Sequence, residues 1–365
     1  MKKVKQEFPF VMMIVAILLM GLILFIVYER EEKNYHALPI AEIQMSEEQV
    51  IHLNELVEDD RIHITESSIT IVEGGIYRID GEYQGGLIVD TEDDVTLVFD
   101  GVTIANENGP ALLILNANDL VLRLEEGTTN QLSDGGSSEY DAALYSLVDT
   151  TFEGNGTLSI YGKIAEGIAT YDADLTFLSG NFYIYAENDG MNAGGTGGLI
   201  RIDDGYFYID AYGNGIDSNQ DIEMNGGFII VYGGNQDDNG AIDYDGSFVI
   251  DGGTLIAVGN GMNQAPDSTS LQNSLVVNFA NQYSGNNIIR IEKNGEEILT
   301  FVPYRSYQTL FYSSADLQDG DYDIYIGGVV TGDEVDGYFE TATYQNGEWL
   351  SKITVDGSVS VYKNV

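Results

Sequence analysis

Gly156-Thr-Leu-Ser-Ile160, Gly180-Asn-Phe-Tyr-Ile184, Gly205-Tyr-Phe-Tyr-Ile209, Gly226-Gly-Phe-Ile-Ile230 and Gly252-Gly-Thr-Leu-Ile256 are five versions of one segment, their starts 24, 25, 21 and 26 residues apart. A second marker keeps step: Glu166-Gly167-Ile168, Asp189-Gly190-Met191, Asn214-Gly215-Ile216, Asn239-Gly240-Ala241 and Asn260-Gly261-Met262, with glycines 23, 25, 25 and 21 apart. Two independent markers sharing one period identify a solenoid whose unit is a single coil. Propeller blades need roughly 40–45 residues, and no stretch between markers suits the helix of a leucine-rich repeat. A period of about 24 residues fits three short strands and three turns, so the fold class is all-β, a parallel β-helix. Strand periodicity predicts two inward rows: Leu158, Phe182, Phe207, Phe228 and Thr254, then Ile160, Ile184, Ile209, Ile230 and Ile256. Glycine before each strand permits the sharp corner.

Outward from this core, the alternating texture begins at Ile62 and runs to about Ser270. That length holds eight or nine coils, a rod of about 40 Å at about 4.8 Å per coil. Residues 271–365 lose the period. Leu275–Phe279, Ile288–Ile291, Tyr322–Ile326 and Ile353–Val355 read as antiparallel strands, with Asn294-Gly295 and Asn346-Gly347 as hairpin signals. This C-terminal β domain is expected to cap the last coil, whose open edge would otherwise invite pairing with another chain. Residues 34–61 read as a stalk in which Ser46-Glu47-Glu48-Gln49 opens a short helix with Val50, Leu53 and Val57 on its apolar side. Residues 1–33 read as a cytoplasmic tail and transmembrane anchor. Lys2, Lys3 and Lys5 precede an uncharged run from Phe8 to Tyr28, long enough for a bilayer core of roughly 30 Å, and the basic flank keeps the N-terminus cytoplasmic. A cleaved signal peptide would have a shorter apolar core and a small-residue cleavage site. The expected localisation is therefore the cell membrane, single-pass, with the C-terminal part extracellular.

With 59 Asp and Glu against 15 Lys and Arg, the formal charge is −44, which excludes nucleic acid as a partner because phosphate would be repelled. Cysteine is absent, removing disulfides, thiol catalysis and Cys-ligated zinc together. The three histidines, His36, His52 and His63, all precede or just enter the repeats. A Ser-His-Asp triad or a zinc site on the repeats has nothing to be built from. Asp203-Asp204 lacks the His and basic partners of a β-helical hydrolase. A calcium-dependent lyase needs a cationic base, and the repeats offer only Arg78, Arg123, Lys163 and Arg201; Arg201 is the best placed, although an isolated Arg is more often a plain surface residue.

Asp189, Asn214, Asn239 and Asn260 form one predicted row, and Asn192, Asp217, Asp243 and Asn263 its neighbour. Stacked asparagines that satisfy each other and nearby backbone explain the amides. They do not explain aspartates about 5 Å apart. Calcium does, since it takes six to eight oxygens from carboxylates, amides and carbonyls. Asp189, Asp217, Asn219, Asp221, Asp243 and Asp245 are the candidate metal ligands, taken as a group. On the outward side, Tyr183 is predicted beside Tyr208, with Tyr185, Tyr206, Tyr212 and Tyr232 nearby. Tyrosine can lay one face on a sugar ring while its hydroxyl stays wet; the competing reading is that the C-terminal domain packs there. Tyr183, Tyr185, Tyr208 and Tyr212 are the candidate ligand-binding residues.

The run from Glu166-Gly-Ile through Asp189-Gly-Met, Gly215-Ile-Asp-Ser-Asn219, Gly240-Ala-Ile-Asp-Tyr-Asp245, Gly252-Gly-Thr-Leu-Ile-Ala257 and Gln264-Ala-Pro266 resembles a bacterial cell-surface carbohydrate-binding family with a polysaccharide-lyase-like β-helix. Leu132-Ser-Asp-Gly135, Asp141-Ala-Ala143 and Ser313-Ser314-Ala-Asp-Leu317 extend the likeness, which covers roughly residues 65–330. The resemblance implies a right-handed helix, bound calcium as cofactor, and binding of polysaccharide (polygalacturonate, cellulose or a cell-wall glycan) without turnover. The family's Asp-Gly-Ile is replaced here by Asn214-Gly-Ile, Asn239-Gly-Ala and Asn260-Gly-Met, each change removing a charge. The rival expectations are a calcium-dependent polysaccharide lyase and a structural adhesin rod.

Overall fold

The computed structural model describes residues 48–136, 139–234, 239–260 and 264–365. The apolar run Phe8–Tyr28, residues 34–47 of the stalk, Gly261-Met262 and Asn263 lie outside them. The described chain is a β-solenoid of eight parallel coils followed by an antiparallel layer, and no helix occurs among the described residues. One coil is Met191–Gly194, Ile200–Ile202 and Tyr206–Ala211; the next is Ile216–Ser218, Ile222–Met224 and Phe228–Tyr232. Each strand pairs in parallel with its counterpart one coil on, so three faces build up along the rod. In the first coils two faces merge: Asp94–Ala105 pairs with Asp119–Leu124 through its first half and with Thr129–Ser133 through its second.

The core fills because one side of every strand points inward. Phe152 stacks on Phe177 at 4.5 Å and Phe182 on Phe207 at 4.9 Å, each ring contacting its counterpart one coil away. The predicted inward rows hold through Phe207 and Ile209 and then slip. Phe207 pairs with Ile229 rather than Phe228, and Ile209 with Val231 rather than Ile230. Leu255 and Ala257 continue those rows. The cause is the doubled glycine. Gly227 and Gly253, at φ +83° and +86°, add a residue at the corner, and in a strand a one-residue shift exchanges the two faces. Ile230 and Ile256 therefore point outward. They are nonetheless fully buried, in a second core formed with the C-terminal residues, as strands apolar on both faces require.

The stalk helix is a strand. Gln49–His52 pairs in parallel with Gly75–Gln84, placing Gln49 opposite Tyr77 and His52 opposite Asp80. Ile51 and Leu53 are buried while Val50 and Val57 are exposed, a two-residue period rather than a helical one. This strand occupies the first edge of its sheet.

At the other end Thr254–Gly259 pairs antiparallel with Tyr307–Ser313, which joins Ser274–Tyr283 and Val359–Lys363 in extending the same sheet. A six-stranded antiparallel sheet forms the second layer, and the two enclose the second core. Asn294-Gly295 makes a tight hairpin, both residues at positive φ, between Ile289–Lys293 and Glu296–Phe301. Asn346-Gly347 does not, because the strands on either side of it are not neighbours. The second hairpin is instead Asp336-Gly337, at φ +51° and +89°, joining Val329–Val335 to Tyr338–Gln345.

Candidate functional site

Two side-chain systems stand out on the coils, a row of oxygens on one face and a field of tyrosines on another. The oxygen row begins where each coil turns into its first strand. Asp189 Oδ1 accepts the backbone N–H of Asn214 at 2.6 Å, and Asn214 Oδ1 accepts that of Gly240 at 2.8 Å. These members of the predicted amide row are thus satisfied by backbone, as buried polar groups at a turn must be. In the neighbouring row Asn192, Asp217 and Asp243 are in register. Asn192 Nδ2 donates to Asp189 Oδ2 at 3.1 Å and lies 3.5 Å from Asp217 Oδ2. Burial, then the charges of Asp189 and Asp243, push the Asp217 carboxyl up to about 7. Glu166, one coil before Asp189, is also pushed up to about 7, chiefly by burial; its Oε1 accepts from Asn188 Nδ2 at 2.8 Å while its Oε2 is buried without a partner.

Among the predicted metal ligands, Asp189, Asp217 and Asp243 are thus brought into one system. Asp245 lies close enough to raise the Asp217 pKa. Asn219 and Asp221 point elsewhere: Asn219 Nδ2 donates to the Gly195 carbonyl, and Asp221 Oδ1 accepts from Ser247 N and Oγ at 2.7 and 2.6 Å. The Asn219 amide nitrogen and the Asp221 carboxylate thus staple one coil to the next. The donor set suits a hard cation, being all oxygen with repelling carboxylates. Among the described residues, however, no three carboxylate or imidazole side chains converge on a single point.

The tyrosine field is the outward side of the strands Thr157–Gly162, Asn181–Ala186 and Tyr206–Ala211. Register puts Tyr161 beside Tyr185 and Tyr183 beside Tyr208. Tyr161 and Tyr185 stack at 5.2 Å with planes 9° apart, whereas Tyr183 and Tyr208 are tilted at 6.0 Å. Tyr185 also meets Tyr208 at 6.0 Å. Tyr212 is exposed, with the Arg305 guanidinium over its ring at 4.8 Å. All four candidate tyrosines therefore share one region. Burial holds the hydroxyls of Tyr183, Tyr185 and Tyr208 above the usual phenol range, so they remain donors at neutral pH.

The field ends against the C-terminal domain. Tyr232 is buried there, in contact with Phe301 and Tyr304. Tyr206 donates to Asp336 and Tyr304 to Asp210, while Arg305 Nη1 bonds Asp210 Oδ1 at 2.6 Å. Two cavities open along the field. The smaller, about 230 Å³, is bordered by Tyr161, Lys163, Tyr185 and Tyr212 and by the acidic Glu187 and Asp210. The larger, about 410 Å³, lies where Tyr208 and Tyr232 meet Tyr304, Val330, Glu334 and Asp336. Tyr304 and Asp336 were not among the expected site residues, although Asp336-Gly337 carries a standard hairpin signal.

The basic residues are mostly committed. Arg78 pairs with Glu48, Asp100 and Glu125, and Arg123 with Glu153. Arg201 Nε lies 2.9 Å from Asp203 Oδ1 and Nη1 3.6 Å from Glu223, which raises the pKa of its guanidinium. That is the reverse of what a base needs. Lys163 alone of the four reaches the tyrosines, its Nζ donating to Ser133 Oγ at 2.6 Å.

A relative from Acetivibrio thermocellus, named a carbohydrate-binding domain-containing protein, is 30% identical over 138 residues, 35% of this chain and 48% of the relative. The chain thus spans about half the length of the curated relative it matches. A solved structure, described as the polysaccharide lyase-like protein from C. thermocellum in a gadolinium derivative, superimposes with a TM-score of 0.48 at 24% identity, over 59% of this chain and 96% of that one. A family model described as carbohydrate-binding domain-containing protein matches residues 65–294, the coils with their two rows and the tyrosine field included, and the chain belongs to that family.

Proposed function

We propose that this protein is a membrane-anchored, extracellular, non-catalytic polysaccharide-binding protein built on a right-handed coil, holding glycan along the tyrosine field. One observation carries the reading: Tyr161, Tyr183 and Tyr185 share one outward face, half-buried and outside the second core, with Tyr208 linking Tyr183 to the Tyr161–Tyr185 stack. Their rings suit the C–H faces of sugars and their hydroxyls suit the sugar edges. Lys163 at the smaller cavity offers a charge to an acidic pectic sugar, and cellulose would be held by the rings alone. Calcium, held by Asp217 and Asp243 with Asp189 beside them, would neutralise the carboxylate row. Turnover is disfavoured because Arg201 is tied into two ion pairs away from the tyrosines.

The test is affinity electrophoresis of the protein through polygalacturonate, cellulose-derivative and xylan gels, with calcium and with chelator, while absorbance is followed for unsaturated product. Retardation without new absorbance is expected. Tyr183→Ala and Tyr185→Ala should each weaken it by about 1 kcal/mol or more, roughly fivefold in Kd. Free migration in every gel would leave a structural surface rod as the better account, and accumulating absorbance that Arg201→Ala abolishes would make the protein a lyase.

A further inference from the structure

We infer that the larger cavity, built jointly by the coils and the C-terminal domain, receives the end of a glycan chain and that the terminal sugar it takes is neutral. This rests on the glycan-binding reading above and goes beyond it in naming which part of the polymer is bound and with what charge.

The first argument is geometric. Tyr161, Tyr185, Tyr208 and Tyr232 belong to four successive coils, each ring 5.2–6.0 Å from the next. A chain laid along them runs parallel to the rod axis. The path is half-buried at Tyr161 and Tyr185 and stops at Tyr232, which is 2% exposed beneath Phe301 and Tyr304. The Asp336-Gly337 hairpin stands on the same side, fixed to the coils by the Tyr206–Asp336 hydrogen bond. A polysaccharide that followed the tyrosines further would collide with this wall. The about 410 Å³ cavity lies at the foot of the wall, within the roughly 300–1,000 Å³ range of small-molecule sites.

The second argument is electrostatic. Glu334 and Asp336 line the cavity, and among the described residues no Lys or Arg does. Arg305, next to Tyr304 in the chain, is not among the lining residues; its Nη1 bonds Asp210 and the Ala211 carbonyl, and its Nη2 is buried without a partner. A uronate in the cavity would face carboxylates with no compensating charge, the kind of juxtaposition that excludes a ligand. A neutral sugar brings hydroxyl donors, which carboxylates accept in strong hydrogen bonds. The two cavities differ in that the smaller holds a cation, Lys163, beside Glu187 and Asp210, whereas the larger holds carboxylates alone.

The experiment measures protein bound per unit mass of soluble β-glucan, xylan and polygalacturonate, each intact and after limited acid hydrolysis that raises chain ends about tenfold at constant mass. Bound wild-type protein should rise close to tenfold on at least one neutral polymer and not on polygalacturonate. Val330→Trp, which fills the cavity mouth, should remove that rise while leaving mass-dependent retention in place. Glu334→Lys, on the exposed strand beside it, should bind trigalacturonate at least fivefold better than wild type. Binding that follows mass whatever the number of ends, or a rise that survives in folded Val330→Trp, overturns the inference but spares the rod-face reading. A Glu334→Lys variant without gain overturns the charge argument even if Val330→Trp fails to fold. Absence of binding to all three polymers overturns the inference together with the proposed function.

Discussion

At the scale of single residues the oxygen row is the least settled part of the molecule. Glu166 and Asp217 are both pushed up to about 7 by burial, Glu166 with Asp141 and Asp189 nearby and Asp217 with Asp189, Asp243 and Asp245 around it. In an unfolded chain such groups titrate near 4. Between about pH 4 and pH 7 the folded state therefore holds the extra protons, and its stability falls as pH rises through that window. In chelator, the Tm should be lower at pH 7.5 than at pH 5.5, and Asp217→Asn should recover a few degrees at pH 7.5 and almost none at pH 4. An unchanged difference in Asp217→Asn would place the pH dependence elsewhere. If calcium occupies the row, millimolar calcium should raise the Tm more at pH 7.5 than at pH 5.5, since protonated carboxylates ligate poorly. Equal increments at both pH values would remove the row as the calcium site. The spacing of Asn192, Asp217 and Asp243 was readable because parallel coils repeat in register. The commitment of Asn219 and Asp221 to Gly195 and Ser247 was not, since a side chain at a corner has two directions open to it.

At the scale of elements, the period revealed strands and coils, but register depended on single glycines. The marker Gly-Gly-Phe-Ile-Ile looks like Gly-x-Phe-x-Ile in one letter out of two, and its second glycine moves the inward row from Phe228 and Ile230 to Ile229 and Val231. The signal that could have found this is the loss of alternation itself: Phe228-Ile-Ile-Val-Tyr232 is apolar at every position, which means both faces are covered. Gly227 and Gly101 offer a direct test of what holds the corner. Both have positive φ, +83° and +88°, but a Cβ at Gly227 would come 2.8 Å from the Gly205 carbonyl, whereas one at Gly101 meets nothing within 4 Å. Backbone strain alone costs on the order of 1–3 kcal/mol. Gly227→Ala should therefore destabilise the protein more than Gly101→Ala in urea denaturation. Equal losses would mean the corner relaxes freely and does not fix register. The short helix over the stalk failed for a related reason. Ile51 and Leu53 satisfy a two-residue period as well as Val50, Leu53 and Val57 satisfy a helical one, and the free edge of the first coil selects the strand.

At the scale of the whole molecule, the C-terminal domain decides where the rod ends and what its last face does. Sequence showed that such a domain follows the coils, from the loss of period and the Asn294-Gly295 turn. It could not show that Tyr304 reaches Asp210 or that Tyr206 reaches Asp336, pairs separated by 94 and 130 residues, because nothing local to either member marks its partner. The second core makes the dependence mutual. Ile230, Tyr232, Ile256 and Val258 from the coils pack with Leu275, Tyr307, Leu310 and Tyr322 from the C-terminal residues. A chain ending at residue 273 would bare that apolar face together with the unpaired edge of Thr254–Gly259, which Tyr307–Ser313 now fills. Exposed strand edges and apolar patches of this kind drive association between chains. The first coils have no such dependence, since they stack on one another and on Gln49–His52. The truncated chain should therefore keep its β-sheet circular dichroism but elute from size exclusion as oligomers or aggregates, where the full chain is not driven to associate through this face. A monomeric truncation product with full stability would mean that the coils close themselves, and the cavity at the junction would then join two domains that fold independently rather than lie in a single cooperative unit.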